Sequence, residues 1–155
     1  LLPCAIYDPA FEGEALRRTL QDHQLCPSDV VFEISERESI GNFAIFRELC
    51  DRYCELGFEI AMDDVGAGYG SLRAVTELSP DYIKVDIAFV RAIDSDPIRR
   101  EVLVALSGIA RRIGAQIIAE GIETPEQFET LKKLGIPYGQ GYFVGRATRF
   151  DEPGS

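Results

Sequence analysis

Residues 58–64 read FEIAMDD and residues 81–87 read DYIKVDI. Each is a short apolar run, too brief for a helix, that closes on charged residues. Four further short apolar runs are bounded by Gly, Pro or a polar cluster: LLPCAI at 1–6, VVFEIS at 30–35, QIIAEG at 116–121 and YGQGYFVG at 138–145. Between them the apolar period lengthens to that of a helix. Phe43, Phe46, Leu49, Cys50 and Tyr53 form one face that stops at Gly57, and Ile98, Leu106, Ile109 and Ile113 form another that stops at Gly114. Asp96 before Pro97 is a start signal, and Thr124-Pro125-Glu126-Gln127 combines an N-cap, a first-turn proline and a capping-box glutamine. Phe128, Leu131 and Leu134 then face inward, with Gly135 as the stop. Regular strand–helix alternation with nearly continuous apolar strands predicts an α/β fold with a parallel sheet, either doubly wound or closed as a barrel.

The chain of 155 residues is sized for one domain, with 46% apolar and 27% charged residues. Its formal net charge of −10 argues against a nucleic acid polymer or an anionic membrane as partner. No apolar run approaches bilayer-spanning length. Cys50 and Cys54 lie one turn apart while Cys4 and Cys26 stand alone, so the cysteines read as buried thiols of a reducing cytoplasm. His23, the one histidine, falls in polar QDHQ and reads as surface, leaving any catalysis to carboxylates, lysine or metal.

Charged and polar residues interrupt the strands where an apolar interior would exclude them: Glu33, Asp63, Asp64, Lys84, Asp86, Glu120 and Gln140. In parallel α/β folds the C-terminal rim of the strands is where ligands bind. Alternation puts Tyr82, Lys84 and Asp86 on one face and Ile83 with Val85 on the other. Asp63 and Asp64 are adjacent, so both reach one site only if the strand ends there and the chain turns at Val65-Gly66. Four converging carboxylates repel one another, and a hard divalent cation such as Mg²⁺ or Mn²⁺ removes the conflict. Two such ions sharing a carboxylate suit phosphoester hydrolysis. Each residue also has a plainer reading: a strand-end carboxylate as a helix cap, Lys84 as a salt-bridge partner of Asp86 or Asp63, and Glu36, Arg37 and Glu38 as a solvated turn. Gly66, Gly68 and Gly70 do not follow G-x-G-x-x-G, and the two aspartates before them would repel a phosphate.

Five ordered blocks resemble the EAL domain of bacterial cyclic di-GMP phosphodiesterases: EISE at 33–36, DDVGAGYGSL at 63–72, DYIKVD at 81–86, AEGIET at 119–124 and QGYFVGR at 140–146. The resemblance implies a TIM-like (β/α) barrel that hydrolyses cyclic di-GMP to the linear dinucleotide with two Mg²⁺ or Mn²⁺ ions. It implies Glu33 as a ligand of the first metal, Asp63 as the bridge, and Asp64 and Glu120 as ligands of the second. Lys84 is similar to the residue that orients the attacking water, and Gln140 to a late site glutamine. Glu123 is similar to the residue that supports the glycine loop of Gly66 and Gly68, and Asp86 to an acidic residue near substrate. The implied setting is a bacterial cytoplasmic signalling protein with sensor or GGDEF-type domains attached.

The sequence also departs from that pattern. The family's Glu-Ala-Leu signature is expected upstream of Leu1, because Glu14-Ala15-Leu16 falls in an amphipathic helix. The first strand–helix segment of the barrel is therefore expected to be missing from a single domain spanning 1–155, with a frayed tail at 147–155. A ligand asparagine expected before Pro9 is replaced by Ile6 or Tyr7, and Val65, Ala67 and Gly70 stand where the family usually has Phe, Thr and Ser. Six strands cannot close an eight-stranded barrel, so self-association or a homodimer through open edges is expected. An impaired phosphodiesterase is the first reading. A degenerate domain that binds cyclic di-GMP or a protein partner without hydrolysis is the alternative, and a barrel acting on another phosphoester is a third.

Overall fold

A computed structural model describes residues 13–35, 43–66 and 71–145. The run LLPCAI with Cys4, Ile6 and Tyr7, the turn at 36–38, Gly68, Gly70 and the tail at 147–155 lie outside the described residues. So do the side chains of Phe43 and Phe46. Helix α1 (Gly13–Asp22) leads through a short 3-10 turn (Pro27–Asp29) into β1 (Val31–Ser35). Then come α2 (Phe43–Glu55), β2 (Glu59–Val65), α3 (Ser71–Leu78), β3 (Tyr82–Val85), the single-turn α4 (Ile87–Val90), α5 (Pro97–Ile113), β4 (Gln116–Ala119), α6 (Pro125–Lys133) and β5 (Tyr138–Gly139).

All four strand pairings are parallel, and the order β1-β2-β3-β4-β5 is that of the chain. A doubly wound sheet reverses its strand order at a switch point. Here the order never reverses, so right-handed crossovers place successive helices on one side and leave the other face to line the inside of an arc. The sheet is thus the arc of a TIM-like barrel, which resolves the choice that periodicity leaves open.

Alternate strand residues build the layer between sheet and helices. Met62, Ile83, Val85 and Ile117 pack with Leu103 and Leu106 of α5 and Leu131 of α6. Phe32, Ile34 and Ile60 pack with Cys50 and Tyr53 of α2 and Leu20 of α1. Phe32, Tyr53 and Phe58 form a ring triad with centroids 5.0–6.0 Å apart.

Helix boundaries follow the chemistry of their end residues. Asp96 accepts hydrogen bonds from the amides of Ile98 (2.9 Å) and Arg99 (3.3 Å), Pro97 opens α5, and Gly114 closes it in the left-handed region at φ 83°. Thr124 and Gln127 form the expected capping box of α6. Glu14-Ala15-Leu16 lies in α1, with Glu14 3.6 Å from Arg17 on an exposed face.

Three expectations are corrected. Ile98 is 73% exposed and does not join the buried face of α5. At 100° per residue it lies about 110° from the centre of the Leu103–Leu106–Ala110 stripe. The run YGQGYFVG pairs with the sheet only at Tyr138 and Gly139; the chain then turns at Gly141 and leaves Tyr142, Phe143 and Val144 exposed. Of the described cysteines only Cys50 is buried, while Cys26 and Cys54 are exposed. Cys26 precedes the 3-10 turn, and Cys54 falls about 70° from the midpoint of Cys50 and Tyr53 on α2.

Burial pushes the Cys50 thiol up to about 12, with Cys54 and Asp51 adding to the effect. Since the thiolate is the reactive form, Cys50 is expected to resist alkylation at pH 8 in the native protein and to react only on unfolding. Mass spectrometry of labelled peptides checks this, and native labelling of Cys50 at the rate of Cys26 would contradict it.

Candidate metal centre

Strand β3 carries Lys84 between Ile83 and Val85, both in the core, so the lysine side chain projects from the opposite face. Its ammonium meets three carboxylates from three other segments: Glu33 of β1 at 3.0 Å, Asp63 of β2 at 2.9 Å and Glu120 just beyond β4 at 2.8 Å. An ammonium has three N–H donors, and each is used. The Lys84 side chain is only 7% exposed, whereas Glu33 remains 54% exposed. Burial alone would lower the lysine pKa. Its hydrogen bonds to Glu120, Asp63 and Glu33 outweigh that and hold it above the ordinary 10.5.

The two aspartates reach the rim by a different route from the one expected. Strand β2 does not end before them: it runs on through Val65, which is buried, and Gly66 turns only afterwards at φ 106°. Met62 pairs with Ile83 and Val65 with Val85, so Asp63 and Asp64 together oppose the single residue Lys84. This is a β-bulge, and Asp64 sits in it at φ 60°, a left-handed conformation that aspartate tolerates better than most residues. The bulge breaks the alternation that would otherwise send neighbouring side chains to opposite faces. Carboxylate oxygens of Asp63, Asp64 and Glu120 consequently lie within 4.8 Å of one another. The Asp64 amide also donates to Asp63 Oδ1 at 3.1 Å, which fixes that carboxylate in the bulge.

Beyond the strands, backbone hydrogen bonds continue the rim. Glu120 N donates to Val85 O (3.0 Å), Gln140 N to Ala119 O (2.9 Å), Ile122 N to Gln140 O (3.0 Å) and Phe143 N to Ile122 O (2.9 Å). This ladder sets Gln140 beside Glu120, and its Nε2 donates to Glu120 Oε1 at 2.6 Å. Gly141, at φ 154°, has no room for a side chain: a Cβ there would run into the backbone of Ile122.

Other expected positions stand apart from this cluster. Strand β3 ends at Val85, and Asp86 caps α4, its carboxylate accepting from Ala88 N at 2.7 Å instead of continuing the face of Lys84. Glu123 lies 3.8 Å from Arg91 at the surface. Gly66 packs near Phe89 of α4. Gln127, read from sequence only as a capping residue, also donates to Arg91 O at 2.9 Å; nothing in its local pattern signals that longer reach.

The carboxylate trio offers hard oxygen donors, and one ammonium against Glu33, Asp63, Asp64 and Glu120 leaves negative charge in excess. Such a donor set fits a hard divalent cation. The EAL domain family matches residues 1–147. The chain belongs to that family. It is similar to the probable cyclic di-GMP phosphodiesterases PdeG and PdeA of Escherichia coli K12. PdeG is 36% identical over 140 residues, which are 89% of this chain and 27% of that protein. PdeA is 30% identical over 146 residues, 94% of this chain and 20% of that protein. The chain therefore spans about a fifth to a quarter of the length of these relatives. Among solved structures, a manganese/cyclic di-GMP complex of Klebsiella pneumoniae BlrP1 superposes with a TM-score of 0.85 at 33% identity, covering 92% of this chain and 36% of that one. The EAL domain of Mycobacterium smegmatis DcpA gives 0.84 at 27% identity, covering 93% and 64%. The fold is the TIM-like barrel of the EAL type.

Lys84→Met would leave the carboxylates without their shared counter-charge. The expected loss at neutral pH in metal-free buffer is roughly 2 kcal/mol by denaturant titration, below the range for a fully buried pair because Glu33 keeps solvent. Because the folded pKa of Lys84 is raised, its contribution is complete below the ordinary 10.5 and is lost as pH rises towards the folded value. Stability of the unsubstituted protein should therefore fall more steeply above about pH 10.5 than that of the variant. Gly141→Ala should cost about 2 kcal/mol through backbone strain and shift Gln140 off Glu120, with thermal melts and amide exchange at Ile122 as the measurements.

Proposed function

We propose that this chain is the phosphodiesterase domain of a bacterial cytoplasmic signalling protein, hydrolysing cyclic di-GMP to the linear dinucleotide. The observation that carries the reading is the convergence of Asp63, Asp64 and Glu120 within 4.8 Å, with Lys84 on the same carboxylates. Membership of the EAL family, and the names of relatives such as PdeG, supply the substrate class.

In this reading Asp64 and Glu120 would hold one Mg²⁺ or Mn²⁺, Glu33 would belong to the site of a second, and Asp63 would serve both. A bound divalent cation would neutralise phosphate charge and polarise a water for attack on phosphorus. Lys84 keeps Asp63 and Glu120 in register and holds a fixed positive charge beside the cluster, which would favour the ionised form of an attacking water. Gln140 holds Glu120 Oε1, so the carboxylate does not rotate out of the cluster. Glu123, Asp86 and the Gly66–Gly68 loop serve as the support around the substrate. The domain is read as residues 1–155 with a tail at 147–155, and a homodimer and attached sensor or GGDEF-type domains complete the parent protein.

The replacement of the expected asparagine by Ile6 or Tyr7 favours weak turnover, and in the extreme case a receptor that binds cyclic di-GMP without cleaving it. Incubating the full chain with cyclic di-GMP and Mn²⁺, followed by chromatography, is expected to show the linear product; binding with no product supports the receptor reading instead. Asp63→Asn should weaken Mn²⁺ binding in titration calorimetry. Lys84→Ala should lower turnover by roughly 100-fold with a smaller change in ligand affinity. Turnover per folded molecule that survives Lys84→Ala would reduce the lysine to a structural salt bridge.

A further inference from the structure

Gln127 is 4% exposed, yet both ends of its amide are engaged. Its Oε1 accepts from the amides of Glu123 (2.8 Å) and Thr124 (3.2 Å), and its own backbone N–H donates to Thr124 Oγ1 (3.2 Å). Those bonds complete the start of α6, and a helix start requires no more. Its Nε2 nevertheless donates to Arg91 O at 2.9 Å, across 36 residues of chain. Arg91 closes α4, which begins three residues after Lys84, and Glu123 lies three residues after Glu120. One buried amide thus joins the segment that follows the lysine to the loop that carries its carboxylate partner. The same two segments meet where Gly121 lies against Ile87, leaving no space for a Cβ. The Arg91–Glu123 ion pair at 3.8 Å spans them too, but both partners are exposed and such pairs contribute little.

We infer that Gln127 is a positioning residue: it fixes the separation of the Lys84 and Glu120 segments and thereby sets the cation affinity of the carboxylate cluster. The inference rests on reading that cluster as a divalent metal site. Partners hydrogen-bonded directly to metal ligands are worth about 10–100-fold in metal affinity; Gln127 touches no ligand and acts through the backbone, so the lower end of that range applies.

Three variants of the full chain separate positioning from simple stability. Gln127→Glu keeps oxygen acceptors for Glu123 and Thr124 but loses the donor to Arg91. Gln127→Met loses both without burying a charge, and it carries the comparison if the glutamate is not tolerated. Thr124→Ala weakens the same helix start and leaves the bridge intact. Mn²⁺ affinity is measured by calorimetry below the melting temperature of each variant, with amide exchange at 121–123 followed in metal-free buffer. Both Gln127 variants are expected to bind Mn²⁺ about tenfold more weakly and to exchange faster, while Thr124→Ala binds like the unsubstituted protein. Unchanged affinity in the Gln127 variants, or equal weakening in Thr124→Ala, overturns the inference. If Asp63→Asn abolishes Mn²⁺ binding and the Gln127 variants do not alter it, the inference fails alone. If the unsubstituted protein binds no Mn²⁺, the metal reading fails and takes the inference with it.

Discussion

One ammonium group organises the rim of this protein. Lys84 uses its three donors on carboxylates from β1, β2 and the segment after β4, so four consecutive parts of the barrel arc end on a single charge. Parallel strands are connected through helices on the far side of the sheet, and nothing in those crossovers aligns their C-terminal ends at the level of side chains. A shared cation does so. Its burial is sustained only because the hydrogen bonds exceed the desolvation penalty, which is also why its pKa is raised.

Much of the scaffold is legible in the sequence because its signals are local. Asp96-Pro97, Thr124-Pro125 with Gln127, and the glycines at 57, 114 and 135 mark helix ends through caps, fixed φ and left-handed turns, each acting within a few residues. Alternation similarly separates Ile83 and Val85 from Lys84. The rim is less legible. The apolar character of Tyr142, Phe143 and Val144 suggests strand, yet a run becomes strand only where a neighbour offers free backbone groups, and the pairing beyond Gly139 is interrupted by the turn at Gly141. Ile98 shows the same limit for helices, since the first turn of α5 carries an apolar residue outside the arc that faces the sheet.

The placement of Asp63 and Asp64 illustrates how an irregularity serves a site. Adjacent acidic residues imply either opposite faces or an end to the strand, and neither occurs. An inserted residue lets two aspartates stand opposite one lysine while Val65 re-enters the ladder and stays buried. A register shift depends on the partner strand as well as on the bulged one, so no pattern within FEIAMDD encodes it. What the sequence does carry is permission: aspartate is among the few residues that occupy φ 60° at modest cost.

These features divide the work of holding negative charge together. Lys84 neutralises part of the cluster from within the sheet, and Gln140 satisfies one oxygen of Glu120 from the adjoining segment. The backbone ladder from Val85 through Glu120 and Ile122 to Phe143 supplies stiffness where regular strands have already ended. Among the described residues, carboxylate charge exceeds that of Lys84 where Asp63, Asp64 and Glu120 meet. An arrangement optimised for the metal-free fold alone would replace Asp64 by a neutral residue, because its charge adds repulsion and its backbone conformation adds strain. Both penalties fall on the residue that meets Asp63 and Glu120 within 4.8 Å, which is where a divalent cation would convert repulsion into binding energy.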